Sequence, residues 1–194
     1  MNKGRLEAFT DAIIAIVVTL LVLEIPRPHG YTFSALFVNW RSYIVYIVTF
    51  TQLMAVWYNH HNLLKHATNL THAFYWANTF WLLVLSVAPF ATSWLSEYPE
   101  RWQPEMFYVI VWSLWSLAYT LMEDVLFQKN PQISLIDRYS RWIYYIMAFA
   151  LVMARFVPLT GVLIVGMLTL WLLLSPIRYG YDPTKAKREP HDED

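Results

Sequence analysis

Residues 5–26 read R-L-E-A-F-T-D-A-I-I-A-I-V-V-T-L-L-V-L-E-I-P, a segment apolar enough and long enough to cross a bilayer. A transmembrane helix needs about 20 predominantly apolar residues to cross a hydrocarbon core of about 30 Å. This segment also carries three charged side chains near its start, Arg5, Glu7 and Asp11, and a hydroxyl, Thr19, in its middle. It is therefore predicted to be a first membrane-spanning helix whose polar positions require an explanation.

The composition of the whole chain favours a membrane protein. Of the 194 residues, 57% are hydrophobic and only 14% are charged, whereas about a quarter of a soluble domain is charged. The formal net charge is zero, so charge gives no indication of a nucleic-acid partner. Cysteine is absent from the sequence, which excludes disulfides, thiol catalysis and cysteine-ligated metals. The length is that of one compact domain.

Six apolar segments predict an all-α integral membrane protein with six spans per subunit. Pro89 falls inside the third span, which is tolerated when neighbouring helices satisfy the freed carbonyl. Only Pro158 and its flanks separate the last two spans. We assign residues 1–180 to this transmembrane domain and expect the charged residues 181–194 to form a disordered tail. The predicted spans cover residues 6–25, 42–58, 74–95, 106–127, 142–157 and 159–177.

Basic residues predict the orientation of the spans. With six spans, ten Lys and Arg side chains fall on the side of the termini and four, Arg27, Arg41, Arg101 and Arg155, on the other. The excess predicts cytoplasmic termini. A cleaved signal peptide is the alternative for the first span, but Glu7 and Asp11 are unusual in a signal, and no small-residue cleavage site precedes Pro26.

The first span contains one candidate functional stripe. Ile16, Leu20 and Leu23 share a helical face, with Thr19 beside it. Periodicity alone does not single this stripe out, because the other faces are equally apolar and a helix apolar all round is simply buried. Asp11 has a plain structural alternative, in which it only caps the helix start or pairs with a nearby cation.

Three motifs in the sequence are typical of one family of membrane proteins. The first is R-x-x-x-F-T-D at residues 5–11, followed by A-I-V-V-T-L-L-V-L-E-I. The second is W-Y-N-H-H at residues 57–61, and the third combines Asn78 with P-F-A-T at residues 89–92. Together they resemble the transmembrane protein 175 family, the lysosomal potassium channels with six-helix prokaryotic members. Thr10 stands where the family has Ser, and Ala12 and Ile14 stand where Gly and Phe are expected.

The resemblance implies a homotetrameric potassium-permeable channel in which each subunit gives its first helix to a central pore. The implied constriction consists of Ile16, Leu20 and Leu23, with Ile16 the narrowest layer and Thr19 the nearby polar position. The implied partners are other copies of the chain, membrane lipids and permeant K⁺, with Cs⁺ or Rb⁺ also possible, and no cofactor is expected. A network supporting the pore helix is implied for Arg5, Phe9, Thr10, Asp11, Trp57, His60, His61 and Asn78.

General physics agrees with such a pore without requiring it. An apolar ring can gate by dewetting, and branched side chains set a steric limit. The T-V-G-Y-G loop of carbonyl-lined potassium filters is absent from the sequence, so modest selectivity for K⁺ over Na⁺ is expected. Members of the resembled family with two repeats per chain occur in eukaryotes, so the resemblance implies a prokaryotic plasma membrane for this single-repeat chain. The alternatives are a secondary or proton-coupled transporter and a non-conducting scaffold. Transporters usually contain internal repeats, and the sequence shows no clear repeat.

Other polar clusters are weaker candidates. His60, His61 and His66 do not favour a shared metal, because adjacent helical positions point about 100° apart; a structural or titrating role is the alternative. Glu123 and Asp124 are expected to be solvated near the cytoplasmic interface, and Arg155 to reach the headgroups. The sequence lacks phosphate-binding, nucleophile-elbow and paired catalytic carboxylate motifs, so an enzyme is not expected.

Overall fold

The computed structural model describes residues 2–135, 140–174 and 179–186, and most of these are helical. Two short strands pair in antiparallel orientation, with Ile133 opposite Tyr181. The elements in chain order are α1 (Lys3–Leu23), α2 (Phe33–Val38), α3 (Trp40–Lys65), α4 (His72–Leu85), α5 (Ala88–Glu97), α6 (Trp102–Lys129), β1 (Ile133–Leu135), α7 (Ser140–Ala154), α8 (Thr160–Leu174), β2 (Tyr179–Tyr181) and α9 (Pro183–Ala186).

Several helices are suited to a bilayer. Three segments are long and apolar enough to cross it: Lys3–Leu23, the α4–α5 pair at His72–Glu97, and Trp102–Lys129. Two shorter apolar helices, Trp142–Ala154 and Thr160–Leu174, accompany them. Helix α3 has 26 residues, about 39 Å at 1.5 Å per residue, but it is more polar than the other long helices. The six-span arrangement therefore stays a prediction.

The predicted third span is two helices in the structure. Helix α4 ends at Leu85 and α5 begins at Ala88, so that Pro89 lies in the first turn of a new helix. Proline is well placed there, because the amide hydrogen that it lacks has no intrahelical acceptor. The Ser86 hydroxyl donates to the Leu83 carbonyl at 2.7 Å and so satisfies one of the carbonyls freed at the break.

Two predicted boundaries were wrong. Helix α3 continues to Lys65, so the N-H-H-N motif lies inside the helix rather than at its end. The tail predicted to be disordered begins in ordered structure, since Tyr181 belongs to β2 and residues 183–186 form α9. Hydrogen bonds from Thr184, chiefly from its hydroxyl, lower the pKa of the exposed Asp182 carboxyl at the start of α9. Residues 187–194 lie outside the described residues.

The turn predicted at Pro158 is present. Helix α7 ends at Ala154 and α8 begins at Thr160. Leu159, the residue before α8, has a φ of 65°, an uncommon left-handed conformation for a residue with a Cβ atom. The break therefore separates two distinct helices.

The core is built around α3 and α6. Helix α3 packs against α1, α5 and α8, and α6 packs against α4, α5, α7 and α8. Trp81, Trp112, Tyr108 and Phe74 are the largest fully buried side chains. Helix α1 lies at the periphery of the single chain, because only 28% of its apolar stretch is buried.

Basic residues lie at both ends of the helices. At one end, the Lys3 ammonium donates to the carbonyls of Lys65 and Ala67 at 3.2 and 3.3 Å. At the other end, Arg41 forms a salt bridge with Glu100. Arg155 also lies at this second end, and its guanidinium stacks 4.9 Å above the Trp102 ring.

Candidate pore-lining helix and its polar anchor

Helix α1 has one buried face and one exposed face. The buried face consists of Leu6, Thr10, Ile14, Val17 and Leu21, which recur every three or four residues. Leu21 is fully buried and Thr10 is equally inaccessible. One face of α1 is therefore tied to the rest of the chain, and the remaining surface is free for lipid or another molecule.

All four predicted constriction residues lie on the exposed side of α1. Ile16 is 58% exposed, Leu20 46% and Leu23 75%, and Thr19 is also exposed. At 100° per residue, Ile16, Leu20 and Leu23 lie roughly 115° around the helix axis from the centre of the buried face. The Thr19 hydroxyl donates to the Ile16 carbonyl at 2.8 Å, which leaves the lone pairs of its oxygen available on the exposed surface.

A buried chain of hydrogen bonds holds α1 against α4 and α3. The Asn78 amide of α4 donates to the Thr10 hydroxyl of α1 at 3.1 Å. Its carbonyl oxygen lies 3.0 Å from Nε2 of His60 on α3. The His60 ring stacks on Trp81 at 5.0 Å with an angle of 2° between the planes. We call these three polar residues, Thr10, Asn78 and His60, the α1 anchor.

A second polar contact fixes the other edge of α1. The Trp57 indole donates to the Asp11 carboxylate at 2.9 Å. His61 stacks on the Trp57 ring at a centroid distance of 6.5 Å. Asp11 thus contacts α3 eight residues beyond the start of α1, where Asn2 supplies the N-cap. The alternative that Asp11 only caps the helix start was wrong.

Two members of the predicted network stand apart from it. Among the described residues, no hydrogen bond or salt bridge joins the Arg5 side chain to the α1 anchor or to Asp11. Phe9 is 55% exposed and lies on the same side of α1 as Ile16. The structure therefore divides the predicted network into the α1 anchor, the Asp11–Trp57–His61 contact and two residues on the free surface.

The three clustered histidines occupy different environments. His60 is buried in the α1 anchor, His61 stacks on Trp57, and His66 stacks on Tyr181 at 4.7 Å. Within the parts of the chain that the structure describes, no group of three His, Asp or Glu side chains is arranged to hold a metal ion.

Glu105 is a buried functional group that sequence reasoning missed. Its two carboxylate oxygens accept hydrogen bonds from the Leu159 amide at 2.8 Å and the Gly161 amide at 2.6 Å. The carboxylate thereby caps the N-terminus of α8, where anions are favoured. Gly161 is required here, because an added Cβ atom would lie 2.6 Å from Val109 Cγ2. The position of Glu105 directly after Pro104, at the start of an apolar span, was the sequence signal that could have identified it.

Glu123 does not have the solvated position expected of it. It is only 2% exposed and accepts a hydrogen bond from the Tyr179 hydroxyl, which also lies 2.9 Å from the Tyr119 hydroxyl. Asp124 is exposed, as expected. The two acids therefore lie in different environments, and Glu123 joins α6 to β2.

Together these features define a class of protein, an α-helical membrane protein with a peripheral, internally anchored first helix. A family model described as "Endosomal/lysosomal potassium channel TMEM175" matches residues 5–89. A potassium channel of Chryseobacterium sp. is 32% identical over 158 residues, which cover 77% of this chain and 82% of that protein. The chain belongs to the TMEM175 family.

Other relatives align over a smaller share of their length. A potassium channel of Chamaesiphon minutus is 37% identical over 103 residues, 50% of this chain and 51% of that protein. The human endosomal/lysosomal proton channel TMEM175 is 30% identical over 118 residues, 55% of this chain and 23% of its own.

The fold is also similar to a solved structure. The crystal structure of a lysosomal potassium-selective channel TMEM175 homolog from Chamaesiphon minutus superposes with a TM-score of 0.75 at 24% identity. The match covers 89% of this chain and 96% of that one. At this identity the likeness establishes the fold.

Proposed function

We propose that the chain is one subunit of a homotetrameric, potassium-permeable cation channel whose pore is lined by α1. The observation that carries this proposal is the division of α1 into an anchored face and a free apolar face that includes Ile16, Leu20 and Leu23. The names of the bacterial relatives, which are potassium channels rather than enzymes, support the same function.

The free face of α1 suits a shared axis. A single helix cannot enclose a pore, but about four copies arranged around an axis do so. The stripe would then form successive rings of branched hydrocarbon, which restrict a pore sterically and by dewetting. Thr19 would add a ring of hydroxyl oxygens to the same surface. Such a pore favours weakly hydrated cations, so K⁺, Rb⁺ and Cs⁺ should pass more readily than Na⁺.

The α1 anchor explains how the free face keeps its orientation. Polar groups buried in a membrane protein are costly unless they are paired, and pairing fixes their geometry. Thr10 is bonded to Asn78, and Asp11 to Trp57, on two sides of the helix. Rotation of α1 would break both contacts. The anchor therefore sets which side chains can face the axis.

Ion flux in reconstituted vesicles tests the proposal. Purified protein should dissipate a K⁺ gradient faster than a Na⁺ gradient, and Ile16→Asn should change the rate or the ratio. Ile110→Asn is the matched control, because Ile110 is also an exposed isoleucine but lies on α6. Helix α6 packs against α4, α5, α7 and α8 and is not the proposed pore helix. An Ile16→Asn variant with unaltered flux would contradict the pore assignment.

The same preparation separates the alternatives. A channel gives resolvable single openings, a carrier gives none, and a scaffold leaves the gradient intact. The vertebrate relatives are named proton channels, which makes H⁺ a second candidate permeant. A pH-sensitive dye inside the vesicles measures H⁺ flux directly when the K⁺ concentrations on the two sides of the membrane are equal.

We further propose a bacterial plasma-membrane location with six spans and cytoplasmic termini. The segregation of Lys3 and Lys65 from Arg41 and Arg155 to opposite helix ends supports this arrangement. Helix α3, although polar, is long enough to serve as the remaining span.

A further inference from the structure

A second polar region lies away from α1, in a cavity of about 50 Å³ between α3, α6, α7 and α8. The side chains with polar atoms that line it are Gln52, Asn59, Trp115, Ser116, Tyr119, Thr120, Thr169 and Trp171. Residues of α1 do not contribute to its lining. The cavity is therefore distinct from the proposed pore.

Two of these polar groups have no hydrogen-bond partner within the described residues. Gln52 is 7% exposed, and its Oε1 atom accepts no hydrogen bond. The Nε1 donor of buried Trp115 is also unpartnered. Asn59, which also lines the cavity, is 8% exposed. A buried polar group without a partner is destabilising, so such groups usually bind ordered water.

We propose that this cavity is a hydration site, in which ordered water bridges Gln52 and Asn59 of α3 to Trp115 of α6. Gln52 and Asn59 are seven residues apart and so lie on one face of α3, two turns from each other. The cavity is larger than the roughly 10–15 Å³ of such space that one buried water needs. Its lining offers amide oxygens, amide hydrogens, an indole donor and hydroxyls, the two to four partners that a buried water needs.

Water fits the cavity better than a cation. The lining contains no carboxylate, and a buried unpaired charge is far more costly than a buried neutral dipole. The opposite conclusion, a dry cavity, would leave the Gln52 amide oxygen and the Trp115 indole without hydrogen bonds. Each subunit would thus hold water inside the helix bundle, independently of whether α1 lines a pore.

Radiolytic hydroxyl footprinting of the intact protein in detergent tests this site, because buried water generates hydroxyl radicals where it is bound. Met147 lines the cavity and is 4% exposed, whereas Met122 is fully buried and does not line it. Met147 should be oxidised at least several-fold faster than Met122. Equal, slow oxidation of both methionines would overturn the proposal.

Two variants refine the test. Gln52→Leu combined with Asn59→Leu should reduce the oxidation of Met147 toward that of Met122. Trp112→Phe is the control, because Trp112 is also buried with an unpartnered Nε1 atom but does not line the cavity. A high-resolution map provides a second readout that does not depend on the variants. Empty density in the cavity, or a Rb⁺ anomalous peak there, would overturn the assignment to water.

Discussion

Asn78 on α4 donates a hydrogen bond to Thr10 on α1, across 68 positions of sequence and in a site from which solvent is excluded. This contact joins the first helix to the rest of the chain through a polar group rather than through apolar packing alone. It also leaves the side of α1 that bears Ile16 uncovered.

Thr10→Val should lower the free energy of unfolding by about 1–3 kcal/mol, because it leaves the Asn78 amide without its acceptor while keeping the shape of the side chain. Thermal denaturation in detergent measures the change. Thr19→Val is the matched control, since the Thr19 hydroxyl donates only to its own helix, and it should shift stability by no more than a few tenths of a kcal/mol. Equal effects of the two substitutions would count against the α1 anchor.

Glu105→Gln should destabilise the chain by about 1–3 kcal/mol. The amide replaces one of the two acceptors of the Leu159 and Gly161 backbone amides with a donor and removes the charge that favours the start of α8. Glu97→Gln, at an exposed glutamate of α5, is the control and should be neutral. Chemical denaturation of both variants makes the comparison, and a neutral Glu105→Gln would show that the carboxylate does not hold α8.

Gly161→Ala should cost about 1–3 kcal/mol through overpacking, because its Cβ atom would lie 2.6 Å from Val109 Cγ2. Adding Val109→Ala should recover part of the loss by making room. Gly4→Ala is the control, since the nearest atom to its Cβ position is 3.6 Å away. If Val109→Ala only added its own cost, the steric explanation would be wrong.

The absence of cysteine makes topology directly measurable. Lys185→Cys should react with a membrane-impermeant maleimide only from the cytoplasmic side, and Glu100→Cys only from the outside. Both positions are exposed, so accessibility is set by the membrane rather than by the fold. Labelling of both positions from the same side of intact cells would refute the predicted topology.

The extent to which the sequence predicted the structure depends on whether a feature is local. The apolar length of α1 and the turn near Pro158 follow from neighbouring residues and were confirmed. The proximity of Thr10, Asn78 and His60 came from family motifs, since no spacing rule joins residues on three helices. The burial of Glu123 was missed because its partner, Tyr179, is 56 positions away.

The break between α4 and α5 shows a different limit. The apolar run is continuous through Ser86 and Val87, and hydropathy does not distinguish one long helix from two consecutive ones. Pro89 indicated an interruption of the helix, but not whether the helix would kink or end there. The preference of proline for the first turn of a helix would have placed a new start there.

Disulfide cross-linking at Ile16 tests the central claim, that the free face of α1 meets its own copies around a shared axis. In the cysteine-free chain, Ile16→Cys should form covalent dimers in membranes under mild oxidation, and a thiol reagent should reduce K⁺ flux through the reconstituted variant. Ile110→Cys on α6 should do neither. A Cys at position 16 that reacts with maleimide, yet forms no cross-link and leaves flux unchanged, would place α1 against lipid and contradict the account.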